Sequence, residues 1–90
     1  MTASLPYRSY LGRLMPRYFF HLADGERQHD LEGTDLKDLA AARQAAVEHA
    51  GEFLRDNPDA VWKHGQWRVE VTDEAQKHLF TVITLAVDAP

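Results

Sequence analysis

Histidine and carboxylate side chains crowd one short stretch of this chain: His21, Asp24, His29, Asp30 and Glu32. Imidazole beside carboxylate can ligate a divalent metal, or can act as a general base that the acid orients. The spacing matches no metal motif, and Asp30-Leu31-Glu32-Gly33 is too short and wrongly ordered for a calcium loop. The residues therefore read as turn acids around a strand histidine, with a small-anion or metal-binding rim as the functional alternative. No metal site is assigned and no cofactor is expected. There is no cysteine, so thiolate ligands and a cysteine nucleophile are excluded. Ser4 and Ser9, the serines on offer for a nucleophilic triad, both lie in the expected N-terminal tail, no glycine-rich phosphate loop occurs, and no catalytic residue is assigned. The chain reads as a non-enzyme.

Arg43 is the other informative side chain. It falls about 40° from Leu39 on a helical wheel, inside an apolar stripe, where a guanidinium must be paired or reach water. Pairing with a sheet-edge acid such as Glu70 or Asp73 is the plain reading. The functional one is an anion-binding arginine at the helix–sheet rim, offering its fork of donors to a carboxylate or phosphate.

The elements that would position these groups follow from periodicity. Arg17 to Leu22 alternates as a strand, with Tyr18, Phe20 and Leu22 on one face and Arg17, Phe19 and His21 on the other. Asp24-Gly25 reads as a turn, and Gln28 to Leu31 as a short returning strand ended by Gly33. Asp38 to Asp56 is a helix with Asp38 as N-cap. Its buried stripe runs Leu39, Ala42, Ala46, Ala50 and Phe53, flanked by Val47 and Leu54. So much alanine predicts close approach to a sheet whose bulk comes from Tyr18, Phe20 and Trp67. Asn57-Pro58-Asp59 stops the helix, and a loop follows to His64-Gly65. Gln66 to Thr72 alternates with Trp67, Val69 and Val71 inward; after a turn, His78 to Leu85 returns as a strand apolar on both faces.

The fold class is α+β, in the order β-β-α-β-β, an antiparallel sheet with one helix packed on one face. Ninety residues make one domain, assigned to 15–88, with 1–14 read as a basic mobile tail or a start-site extension. Residues 1–17 hold Arg8, Arg13 and Arg17 and no acid, so the net −4 divides into +3 there and −7 in the remainder. An acidic body disfavours nucleic acid as a partner. No apolar run nears the roughly 20 residues that span a bilayer. The cytoplasm is the expected location.

Met15-Pro16-Arg17-Tyr18-Phe19-Phe20-His21, followed by Asp24-Gly25, resembles the opening of a family of small, uncharacterised bacterial proteins of unknown function. The resemblance continues through Asp30-Leu31-Glu32-Gly33-Thr34, Asp38 to Arg43 and Trp67 to Glu74, and so spans about Met15 to Leu85. Lys37 and Gln76 depart from it, where proline and a turn glycine are expected. It implies a shared domain and brings no activity or site residue. The sheet face without a helix is the most promising surface: Phe19, Arg68, Leu79, Ile83 and Leu85 are its expected interface residues. An interaction or regulatory module that self-associates or docks a protein partner there is the leading expectation.

Overall fold

The computed structural model describes residues 15–23 and 27–90. The alternation at the start becomes strand β1 (Arg17–Ala23). The returning segment supplies only two short strands, β2 (Arg27–Gln28) and β3 (Thr34–Asp35). Helix α1 (Leu39–Asp56) and the one-turn helix α2 (Ala60–His64) follow, then β4 (Gln66–Thr72) and β5 (His78–Leu85). The sheet runs β2-β1-β4-β5, with β3 also on β1, and every pairing is antiparallel. This is an α+β fold with the main helix on one face. The Asp24-Gly25 turn and the first fourteen residues lie outside the described residues.

The pairing register states which side chains share a face. Phe20 stands opposite Val71 and Leu22 opposite Val69, while Val69 and Val71 meet Val82 and Phe80 on β5. These residues, with Tyr18 and Trp67, meet Ala42, Ala46 and Ala50 of α1 in one core. Ala42 and Ala46 are fully buried, so the helix backbone approaches the sheet at a distance only small side chains permit. Aromatic rings fill the seam: Phe53 stacks on Trp67 with centroids 4.4 Å apart, and His49 tilts against Phe20 at 4.9 Å. The buried indole Nε1 of Trp67 has no hydrogen-bond partner among the described residues.

Asp38 caps α1 as expected, its Oδ1 accepting the Ala41 N–H at 2.9 Å. At the other end the Asn57 backbone and side-chain N–H groups both donate to the Phe53 carbonyl. Leu39 of the expected stripe and its flank Val47 are exposed, because the sheet meets the narrower strip of Ala42, Ala46, Ala50, Phe53 and Leu54. The loop expected over 57–65 contains α2, which buries Val61 and ends at Gly65 with φ 80°. Five residues are too few for a periodic signal, and glycine is the usual left-handed terminator.

Leu79 was expected on the open face but packs against the core. A bulge causes this. Val71 faces Phe80 while the next residue, Thr72, faces His78, so Leu79 is the extra residue and both it and Phe80 crowd opposite Val71. The β4–β5 turn places Gln76 at φ 64°, the left-handed conformation that glycine takes without cost. Asp73 holds that turn together, its Oδ1 accepting from the Ala75 and Lys77 N–H groups at 2.9 Å each.

Two substitutions test this backbone reading in opposite directions. Gln76→Gly removes left-handed strain and is expected to raise stability by about 1 kcal/mol. Gly51 is helical, exposed and would set a Cβ in open space, so Gly51→Ala is expected to add a similar amount. Urea unfolding of each variant and of the pair checks both, and additivity follows from their separation.

Candidate functional site

β1 alternates, so Phe19, His21 and Ala23 point away from α1, opposite Thr72, Glu70 and Arg68. An ordinary edge strand here would offer its amides to a complete partner strand. Instead the chain pairs at Arg27–Gln28, leaves the ladder, and pairs again at Thr34–Asp35. The gap is bridged by a side chain. Asp30 Oδ2 accepts the Phe20 N–H at 3.1 Å, taking the place of a backbone carbonyl. Its Oδ1 accepts the Glu32 and Gly33 N–H groups at 3.1 and 3.0 Å, which curls the connector.

The Asp30 N–H donates to His21 Nδ1 at 3.1 Å, and His21 Nε2 lies 3.0 Å from Thr72 Oγ1. In that network Nδ1 is an acceptor, so Nε2 carries the proton and donates to the hydroxyl. His21 is buried with both ring nitrogens engaged. Accepting a substrate proton would cost it one of these bonds. The ring also meets His29 edge-on at 5.3 Å.

Arg17 anchors the far end of the connector. Its Nη1 donates to the Glu32 carbonyl, its Nη2 to Asp35 Oδ2 at 3.2 Å, and its Nε lies 2.9 Å from Asp35 Oδ1. Gly33, at φ 74°, seats its Cα against Phe19 and Arg17: an added Cβ would fall 2.8 Å from an atom of each. The connector thus covers the β1 side of the open sheet face. Toward β5 that face stays open, with Ile83 53% and Leu85 65% exposed.

Between the connector and the β4–β5 turn lies a cleft of about 540 Å³. Phe19, His21 and Thr72 line it with His29, Asp30 and Leu31 from the connector and Asp73, Glu74 and Gln76 from the turn. Leu31 stands 87% exposed at its lip. The lining includes three carboxylates and no Lys or Arg. Among the described residues no group of three or more His, Asp or Glu side chains is placed to hold a metal ion.

The candidates named from sequence separate cleanly. His21 and Asp30 meet in one network, and Glu32 joins it through its backbone. Asp24 lies outside the described residues. Arg43 does not join them. It projects from α1 into solvent, and the helix covers the opposite sheet face from His21. Among the described residues it pairs with neither Glu70 nor Asp73, and Arg68 Nη2 lies 3.7 Å from Glu70 Oε2. The wheel misplaced Arg43 because the sheet meets a narrower strip of helix than the apolar pattern covers. The turn residues Asp73, Glu74 and Gln76 were not foreseen as cleft residues. Only the antiparallel pairing of β1 with β4 brings their turn to Phe19, and no local signal encodes that pairing.

A helix-backed antiparallel sheet with a cleft on its bare face makes this a small α+β domain. It belongs to the family described as "Domain of unknown function (DUF6894)", whose model matches residues 17–86. No curated protein and no solved structure matches the chain.

Burial pushes the Asp30 carboxyl up, but the N–H bonds from Gly33, Phe20 and Glu32 outweigh it and hold it below its ordinary 3.8. A carboxyl depressed by folding stabilises the native state fully above that ordinary value, and the contribution is lost as pH falls through the lower folded one. Asp30→Asn is expected to flatten the loss of stability as pH falls below that ordinary 3.8. At neutral pH it should cost about 1–2 kcal/mol, since a weaker acceptor replaces a charged one. Denaturation midpoints measured across pH check both.

Gly33→Ala probes the same connector sterically. Clash with Phe19 and Arg17, added to a positive φ, is expected to cost about 2 kcal/mol or more and to shift the His21 imidazole resonances in NMR spectra.

Proposed function

We propose that this domain is a non-enzymatic interaction module that associates through the sheet face not covered by α1, with a protein partner or with itself. The observation that carries the reading is the state of the polar groups at the cleft. Asp30 and both nitrogens of His21 are spent on holding the connector, and Asp73 Oδ1 on holding the turn. What remains toward solvent is a recognition surface: Phe19 and Leu31 beside Glu74, Gln76 and His29. Its carboxylates, on a body that carries −7 over residues 18–90, favour a basic segment of a partner over nucleic acid. A cleft of this volume takes one or two side chains.

A small anion or a metal ion is the weaker alternative. The cleft lining has no Lys or Arg to receive an anion, and Arg43 lies across the sheet. Among the described residues no helix is long and apolar enough to cross a membrane. We place the domain in the bacterial cytoplasm, where a chain without cysteine needs no oxidising compartment.

Panning a random peptide library on the full chain tests this reading. Enriched peptides are expected to be rich in Arg or Lys next to an apolar residue. Glu74→Lys and Leu31→Ser, both exposed positions, should each weaken the best peptide about tenfold or more, roughly 1.4 kcal/mol, in calorimetry. No enrichment, or binding indifferent to both variants, rules out the cleft as the recognition surface.

A further inference from the structure

The two edges of the sheet are finished differently. On the β1 edge, β2 and β3 cover both ends and the Asp30 carboxylate takes the Phe20 amide between them. Short strands and an inserted charge are how proteins blunt an edge against further pairing. The β5 edge has neither device, and its one bulge, at Leu79, sits at the turn end and leaves Phe80 to Leu85 in regular register. His78–Leu85 is eight residues long, pairs on one side only among the described residues, and contains no Lys, Arg, Asp, Glu or Pro. Its inward side chains Phe80 and Val82 belong to the core, while Ile83 and Leu85 stand exposed on the other face.

We infer that β5 pairs edge to edge with β5 of a second copy of this chain, antiparallel about a two-fold axis. The choice of occupant rests on the contrast between the edges. Among the described residues, β5 is the one long strand that two identical chains joining sheet to sheet have to offer, since the β1 edge is already paired or capped. The contact is therefore between the same surface on both copies, and it closes at two instead of growing into a fibre. A strand with no formal charge apart from a histidine meets its own copy without like-charge opposition at any register. Antiparallel two-fold pairing keeps the faces matched: both helices fall on one side of the continuous sheet, and Ile83 and Leu85 of each copy meet on the other. The cleft, at the β1 side, stays open. This deepens the association reading by naming the occupant of β5, and it stands apart from the basic-peptide reading of the cleft.

Sedimentation velocity of the full chain from low to high micromolar concentration, paired with amide hydrogen exchange, is the test. The expected result is a dimer whose formation protects alternate β5 amides in step with concentration. Because both bodies are acidic, added salt should strengthen it. Ile83→Lys, at an exposed position, should raise the dimer dissociation constant about tenfold or more while leaving circular dichroism unchanged. A monomer at every concentration overturns the inference. So does β5 protection that is complete at all concentrations, since the edge is then covered within one chain, or a dimer that Ile83→Lys leaves intact. Should the variant fail to fold, exchange in the unmodified chain still decides. Dimerisation without basic-peptide binding would remove only the cleft reading, and the reverse only this one.

Discussion

An amide on a sheet edge must find an acceptor, and here a single carboxylate supplies it. Asp30 sits where β1 has lost its neighbour strand, and its two oxygens hold three backbone N–H groups from two different segments. Its own N–H in turn fixes the tautomer of His21, which reaches Thr72 on the next strand. The connector, the position of the imidazole and the near wall of the cleft all follow from that arrangement. Charged acceptors are worth more per bond than neutral ones, and each of these amides would otherwise be left to solvent or unsatisfied.

The same economy governs the other side of the sheet. A row of alanines lets α1 lie close, and the depth that larger helix residues would have supplied comes from Tyr18, Phe20 and Trp67. Packing of this kind is sensitive to volume in both directions, because Ala42, Ala46, Trp67, Val69 and Val71 are fully buried against one another. A narrow contact strip has a second consequence: Leu39, Arg43 and Val47 are left outside it, and the apolar pattern of the helix is wider than the surface it buries.

The open face is divided by the connector into two regions of different character. Near β1 it is polar, acidic and concave, with its hydrogen-bonding groups mostly committed to structure. Near β5 it is apolar, with Ile83 and Leu85 exposed, and it runs to a strand that pairs on one side only among the described residues.

Local chemistry made much of this legible in the sequence. The helix from Leu39 to Asp56 with Asp38 as its cap, the strands Gln66–Thr72 and His78–Leu85, and the aromatic filling of the core are each encoded within a few neighbouring residues, by capping oxygens, alternation or small side chains. The grouping of His21 with Asp30 was visible as proximity along the chain. What tertiary structure alone decided was everything that depends on which strand lies beside which. The pairing of β1 with β4 brought the Asp73–Lys77 turn to Phe19 and made a cleft, the bulge at Leu79 turned that side chain inward, and the helix contact excluded Arg43. Periodicity records the face on which a side chain stands but carries no term for the neighbour it meets there, because strand order is chosen by the packing of the whole chain.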